Sequence, residues 1–391
     1  MKFTVNRRIM LEHIKTMIKV VPKSSLMQEL KGFLIEVNED DGYLYITANN
    51  LEVAIQRKLK PNAETGGSFV MEAKLLTDIL AFLDGDEVVF EEIKPGTVEV
   101  KSGKGVYTLR VLDSRAYPRP EIPFPDTMVN LSHIRQMYSK TYSAVGGESV
   151  SEVFKGIHFN ISPNGFTLES CNARDIAVAG NKMSCGGSMN FTLSKQTVSY
   201  LSSAAGDEEI EVGTSGPFVT FMKEGMLFSS KRLSAEFVDV NKLLNSLKPA
   251  YTAAIDGERF KEEILNVCDL ASVGKETSYI KLQFDENSIN SSTLTEVGCA
   301  VNNIPCVTVN STFGLSNYYS AAALKNALKT IESRIMLVLD KRGYMLVEDE
   351  CNKFMITPMS DTAVRNQLKK IEEQKSKRKS GKAKQKALQA A

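Results

Sequence analysis

Apolar and polar positions alternate along this chain in a pattern that returns at a fixed interval. Lys31–Gln56 reads KGFLIEVNEDDGYLYITANNLEVAIQ, a period-two run, a turn at Asp41-Gly42 and a second run. That is how a half-buried hairpin is written. Lys155–Gly180 reads KGIHFNISPNGFTLESCNARDIAVAG, with the same Lys-Gly start and a turn at Asn164-Gly165, 124 residues further on. A fainter third copy begins at Tyr279 (YIKLQFDENSINSSTL). Self-similarity at a fixed period is read before anything else, because it sets the architecture.

Helical patterns flank each copy. Before them come Arg7–Val21, Leu131–Val145 and Arg259–Ala271. After them come Leu75–Leu83, Thr197–Ala205 and Ala321–Ile331, the last with a start at Asn317 as a second reading, each followed by another strand pattern. In the first helix Met10, Ile14, Met17 and Val21 recur at helical spacing, Arg8, Glu12, Lys15 and Lys19 fall opposite, and Asn6 is placed to cap. The next helix is expected to bury Leu75, Leu76, Ile79 and Leu83 and to present Lys74. The Leu131–Val145 helix is expected to turn Lys140 outward. Arg259–Ala271 buries Phe260, Ile264, Val267 and Ala271 and shows an acidic face with Glu262 and Asp269. The expectation is an α+β chain of three repeated domains, 1–122, 127–246 and 249–360. YPRPEIPFP (Tyr117–Pro125) serves as the first linker, since proline sustains neither a helix nor a central strand. Residues 361–391 form a basic tail expected to be disordered.

Length and composition sharpen this only in part. A chain of 391 residues suits several domains. No apolar run approaches the ~18 residues needed to span a bilayer, and the N-terminus does not read as a signal peptide. Six scattered cysteines without a C-x-x-C pair, with three histidines, suggest free thiols in a reducing cytoplasm and no metal site. The net charge of +1 conceals an asymmetry: Ser360–Ala391 holds ten basic and three acidic residues, leaving 38 basic and 44 acidic before it. Phosphate-binding, glycine-rich and nucleophile-elbow motifs are absent, and no converging acid–base groups are advertised, so neither an enzyme nor a cofactor is expected. What remains is a binding surface: a row of lysines on helical faces suits sequence-blind phosphate contact, although such stripes are also ordinary solvated surface.

The opening MKFTVNRR, the ITANNLEVAIQ strand, FLDGDEVVFE, VKSGKGVYTLRVLDSRAYP, LFSSKRLSAEFVDV and the closing FMITPMS together resemble the bacterial sliding clamp, the β subunit of DNA polymerase III, over residues 1 to about 360. The resemblance implies a head-to-tail homodimer, closed as a ring with helices inside and sheets outside. Such a ring encircles duplex DNA in the cytoplasm, at the nucleoid, as a non-catalytic processivity factor. DNA contacts would fall to Arg8, Lys15, Lys19, Lys23, Lys74, Lys140, Lys195, Lys325 and Lys329. Ring closure would pair an edge strand near Gly105–Val111 with one near Cys306–Phe313 of the second copy, with Tyr107 packing near Leu270 and Ala271.

The resemblance also implies a groove that takes short linear motifs from the replicative polymerase, the clamp loader and other DNA-processing proteins. Its walls would be Phe154, Cys171, Ala173, Arg174, Ile176, Val238, Lys242 and Leu243 on one stretch of chain, with Tyr344, Met355, Ile356, Pro358 and Met359 on another. The chain departs from the family at Cys171–Ala177, in place of a T-D-G-H-R-L-A-like run, and at Glu152-Val153, in place of paired tyrosines. It also continues for 32 residues past Met359. The alternative function is a divergent clamp-like scaffold that binds partner motifs without serving as the main replicative clamp. For the tail two roles stand open: salt-sensitive DNA contact, or Val364–Leu368 folding back to compete for the groove.

Overall fold

The computed structural model describes residues 1–273, 279–311, 314–332, 334–360 and 362–371. The chain divides into two compact units: residues 1–138, 159–166 and 183–234, and residues 139–158, 167–182 and 235 onward.

The first unit holds two antiparallel sheets. One runs Asn62–Thr65, Lys2–Asn6, Glu87–Lys94, Thr97–Ser102, Gly105–Arg110. The other runs Val129–Leu131, Ile210–Ser215, Phe218–Lys223, Met226–Lys231, Val53–Leu59, Leu44–Asn49, Gly32–Val37, Gly67–Glu72. The tight turn at Gly103 needs a residue without a side chain: φ is +56°, and a Cβ there would come within 2.3 Å of Asp84 Oδ1.

Three helices belong to this unit, Arg7–Met17, Ala73–Phe82 and Lys195–Ala205; the first packs against the other two, and the second against Gly67–Glu72 and Gly32–Val37. In the first, Asn6 Oδ1 accepts from Ile9 N at 3.0 Å, so the expected cap forms. Met10, Ile14 and Met17 are fully buried, while Arg8, Glu12, Lys15 and Lys19 are exposed. The helix stops at Met17 rather than Val21. In Ala73–Phe82 the expectation for Leu75 is corrected. Adjacent leucines lie ~100° apart on a helix, and Leu76 takes the inward position with Ile79 and Leu80, leaving Leu75 exposed.

The second unit is built on the same plan. One sheet runs Cys299–Pro305, Ser288–Leu294, Tyr279–Phe284, Leu315–Ser320. Another runs Ile176–Asn181, Asn352–Ile356, Met345–Glu348, Ile335–Asp340, Pro249–Ile255, Val307–Ser311. Helices Gly257–Val273 and Ala321–Leu328 pack together over a core that includes Phe260, Ile264, Val267, Leu324 and Leu328. Burying each such side chain contributes about 1.5–3 kcal/mol. Of the two starts read for the second of these helices, Ala321 holds and Asn317 does not, because Leu315–Ser320 pairs as an edge strand with Tyr279–Phe284.

Two further expectations are corrected in this unit, and the burial expected of Ala271 is borne out. Lys140 is only 5% exposed, and its ammonium lies 2.5 Å from Glu332 and 3.4 Å from Asn352 Oδ1. Its surroundings come from a remote stretch of chain that its own helical period does not report. Ala271 is 1% exposed within the unit's own core, as its place beside Val267 and Cys268 on the inner helical face requires. Residues 362–371 are helical rather than disordered, with Ala363 N donating to Ser360 Oγ, Val364 N to Ser360 O, and Val364 3% exposed. The expectation for 372–391 lies outside the described residues.

One buried titratable group gives the fold a pH dependence. His13 is partly buried, and burial first, then the charges of Arg57 and Lys223, lower its pKa from 6.5 to about 4. Native His13 therefore stays neutral where the unfolded chain's histidine is protonated. Its contribution is full above pH 6.5 and lost as pH falls toward 4. Thermal melts across that range should show Tm of the wild type falling with a steeper slope than that of His13→Gln; parallel slopes would contradict the assignment.

Candidate functional site

The groove is assembled wholly within the second unit, from three stretches of chain. The first follows the strand Gly165–Cys171, where the chain must turn to enter Ile176–Asn181. Asn172 Oδ1 accepts from Arg174 N (3.0 Å) and Asp175 N (2.7 Å), which holds Ala173 at φ +68°. A left-handed alanine costs about 1–2 kcal/mol, and the Asx-type turn offsets it. The turn is tied to the second stretch: Thr357 N donates to Asp175 Oδ1 (3.3 Å), and the Thr357 hydroxyl donates to Arg174 O. Burial raises the Asp175 pKa above the usual carboxylate range, against the hydrogen bond from Thr357 N and the charge of Arg174.

The second stretch is the strand Asn352–Ile356, in register with Ile176 opposite Met355. Successive side chains of a strand point to opposite faces. Met355 is half-buried at the groove, and Phe354 and Ile356 face the core. The third is the helix Val240–Asn245, whose first turn is capped by Asp239 Oδ1 accepting from Lys242 N at 2.9 Å. Val240 and Leu244 point into a small apolar cluster with Cys171, Ile176, Val178 and Leu346, and Leu243 is left exposed above it. This cluster is the floor.

Over the floor lies a concavity of about 430 Å³, within the range of small-ligand and peptide pockets. Phe154, Cys171, Ala173, Arg174, Ile176, Val238, Leu243, Tyr344 and Met355 line it, nine of the thirteen wall residues expected. Lys242, Ile356, Pro358 and Met359 do not. Ile356 is excluded by strand alternation. Lys242 sits one position before Leu243 and projects elsewhere on the helix. The Pro358 ring lies 3.2 Å from where a Cβ of Gly343 would be, and Met359 N donates to Tyr318 O (2.7 Å).

Four lining residues were missed: Ser246, Leu247, Arg342 and Thr357. Leu243 and Leu247 share a helical spacing that could have announced the second. Arg342 also carried a local signal, since Asp340 precedes it by two. The Arg342 Nε–Asp340 Oδ1 distance is 3.0 Å, and the guanidinium lies 4.8 Å from the Tyr344 ring centroid. Burial pushes the Asp340 pKa up, but hydrogen bonds from Arg342 and from the backbone amides of Lys248 and Arg342 outweigh it, leaving the carboxyl below its ordinary value. The groove thus has a methionine and aliphatic floor, an aromatic wall, and two arginines at its margin. Burial raises the Cys171 thiol pKa, so that sulfur serves as apolar lining rather than as a nucleophile.

The expected DNA-contacting cations divide into groups. Arg8, Lys15, Lys19, Lys23 and Lys74 are exposed on the first unit; Arg8 stands 3.3 Å from Asp86, and Lys19 Nζ is 2.8 Å from Ser203 Oγ. Lys195 is half-buried. In the second unit Lys325 pairs with Asp269 (2.9 Å), Lys329 donates to Tyr142 OH (2.8 Å), and Lys140 is sequestered.

Each unit also has a sheet edge with apolar side chains exposed. Gly105–Arg110 is the outermost strand of its sheet, with Val106 57% exposed and Tyr107 beside it. Val307–Ser311 is outermost in the other, with Val307 and Val309 each 66% exposed. Leu270 is half-buried, and Phe313 lies outside the described residues.

Comparison with known proteins fits this geometry. Residues 1–122 match the family model of the DNA polymerase III beta subunit, N-terminal domain. A beta sliding clamp of Lactococcus lactis is 23% identical over 62% of this chain and 67% of its own length, and that of Mycoplasma capricolum is 19% identical over 87% and 92%. The match to the beta sliding clamp of Synechococcus elongatus, at 24% identity, spans 41% of this chain and 43% of that relative's length. The solved DNA polymerase sliding clamp of Bacillus subtilis superposes with a TM-score of 0.82 at 19% identity, covering 92% of this chain and 99% of that one. The DNA polymerase III beta subunit of Thermotoga maritima gives 0.81 at 17%, with the same coverage. Residues 1–122 are thus similar to the N-terminal domain of the DNA polymerase III beta subunit, and the chain shares the fold of solved sliding clamps.

Proposed function

We propose that two copies of this chain close head to tail into a ring around duplex DNA. In this reading the chain comprises three clamp domains, 1–122, 127–246 and 249–360, so that the ring has six, and it works on the nucleoid in the cytoplasm. The family is a non-catalytic processivity factor of DNA polymerase III. The observation that carries ring closure is the pair of exposed apolar edges, Gly105–Arg110 and Val307–Ser311. Unpaired amides beside exposed valines are a liability that proteins cover or pair. Head-to-tail strand addition pairs one edge with the other, in a heterologous contact that closes after two copies. Tyr107 and the half-buried Leu270 then serve as apolar contacts of that seam.

Topology supplies retention, so DNA contacts can be weak. Arg8, Lys15, Lys19, Lys23 and Lys74 offer phosphate contacts without base readout, which permits sliding. The groove takes short apolar motifs of the replicative polymerase, the clamp loader and other DNA-processing proteins. Its methionine and aliphatic lining adapts to several such motifs. A second reading, a scaffold that engages partner motifs without encircling DNA, is favoured by the tied lysines of the second unit and by exposed Glu258, Glu262 and Asp269 on Gly257–Val273.

Four measurements test this. Native mass spectrometry should find twice the 43.2 kDa chain mass. Val309→Asp should raise the dimer dissociation constant at least about tenfold, since a charge inserted in an apolar seam costs more than ~1.4 kcal/mol. Loaded on nicked circular duplex, the wild-type ring should stay bound and leave once the circle is cut; equal release from both forms would favour the scaffold. Separately, Leu243→Ala with Met355→Ala should weaken a fluorescent polymerase-motif peptide by about tenfold or more in anisotropy titrations, with the dimer unchanged. Unaltered peptide affinity would place the partner site elsewhere.

A further inference from the structure

Arg342 reaches the groove from a turn whose geometry is fixed at several points. Ile335–Asp340 and Met345–Glu348 pair as a hairpin; in the turn between them Gly343 N donates to Asp340 O and Asp340 N to Tyr344 O, both at 2.8 Å. Gly343 has φ +90°, and a Cβ there would lie 2.9 Å from Asn317 Oδ1, so the turn depends on glycine. The Gly343 carbonyl accepts from the buried Tyr319 hydroxyl at 2.7 Å. Asp340 is buried, and its carboxylate accepts from Lys248 N and Arg342 N, each at 2.7 Å. The backbone from which Arg342 projects is therefore set before any ligand arrives.

The side chain is held on one side only. Its Nε and Nη2 donate to Asp340 at 3.0 and 3.4 Å, and its guanidinium carbon lies 4.8 Å from the Tyr344 ring centroid. Among the described residues no group accepts from Nη1, and the side chain is 59% exposed. The outer edge of the fork, formed by Nη1 and the second N–H of Nη2, is left open. Two parallel donors match the two oxygens of a carboxylate, whereas a side-chain amide offers a single oxygen. Charge points the same way. Arg174 and Arg342 line the groove, and among the described residues no acidic one does. Asp340 offsets part of the Arg342 charge, but the exposed Arg174 adds to the positive field at the same margin.

We propose that Arg342 is a specificity-determining residue of the groove: its outer guanidinium edge takes the side-chain carboxylate of an Asp or Glu in the incoming peptide. The motifs this chain accepts then combine apolar anchors, seated on the floor, with one acidic residue at a fixed distance from them. The proposal rests on the reading of the groove as a peptide site and adds the charge of its occupant. Because Asp340 and Tyr344 hold the guanidinium in place, little side-chain freedom remains to be lost on binding, and the acid is read at one position. Arg174, which no such frame holds, favours acidic peptides in general.

The test uses the full chain and the fluorescent polymerase-motif peptide, amidated at its C-terminus. In one peptide set each non-anchor position in turn carries Asp, and in a matched set it carries Asn. At one position the Asp peptide should bind about five- to tenfold more tightly than its Asn twin in anisotropy titrations. Arg342→Gln should bring that pair within about twofold while leaving the affinity of the Asn peptide unchanged, which shows that the groove is still folded. Arg342→Lys, which keeps the charge without the fork, should recover less than half of the preference. Raising salt from ~50 to ~300 mM should shrink the preference and spare the Asn peptide. Equal affinities of every Asp–Asn pair, or a preference that survives Arg342→Gln, would overturn the proposal and leave the groove a peptide site. So would a gain that appears only when the C-terminal carboxylate is freed. Peptides indifferent to Leu243→Ala with Met355→Ala would instead remove the groove reading, and this proposal with it.

Discussion

The backbone of an outermost strand carries a row of N–H and C=O groups whose partners must come from outside its own sheet. In this chain two such rows, Gly105–Arg110 and Val307–Ser311, stand beside exposed valines, and neither strand contains a lysine or a proline. Much else depends on how those edges are satisfied. If a second copy supplies the partners, the chain becomes a closed object, retention on DNA becomes topological, and the exposed cations need contribute little affinity each. If nothing supplies them, the edges are a liability and the cations must do all the binding.

Strand alternation imposes a second constraint, at the groove. Between Phe354 and Ile356 only Met355 can face outward, so the strand contributes its core residues and its wall residue in turn. The same strand pairs with Ile176–Asn181, and the hydrogen bonds of Thr357 to Asp175 and Arg174 hold the adjoining turn. A floor this tightly coupled to the sheet keeps its shape, with Leu243 exposed above it and Arg342 held against Asp340 and Tyr344.

Periodicity made the helical faces readable: Met10, Ile14 and Met17, or Phe260, Ile264 and Val267, lie inward because 100° per residue puts them there. It failed where the deciding partner is far away in sequence. Lys140 has a polar position by its own helix, but Glu332 and Asn352 enclose it. Ala271 lies inward as its helical period requires, whereas Ile356, placed in the groove wall by the family resemblance, is turned to the core by strand alternation. Arg342 was legible through Asp340 two residues before it, yet its place in the groove depends on Tyr344 and on a strand pairing that sequence does not specify. A helix near Val364–Glu373 was readable only as the lesser alternative to disorder, because one buried valine and a serine cap are a faint signal within a basic stretch.

Amide hydrogen exchange on the two edges addresses ring closure most directly. At concentrations where the chain is dimeric, the amides of Val106–Arg110 and Val307–Ser311 should both be protected, and dilution or Val309→Asp should release the two segments together. Fast exchange at both edges in a stable dimer would contradict the account and require a different seam.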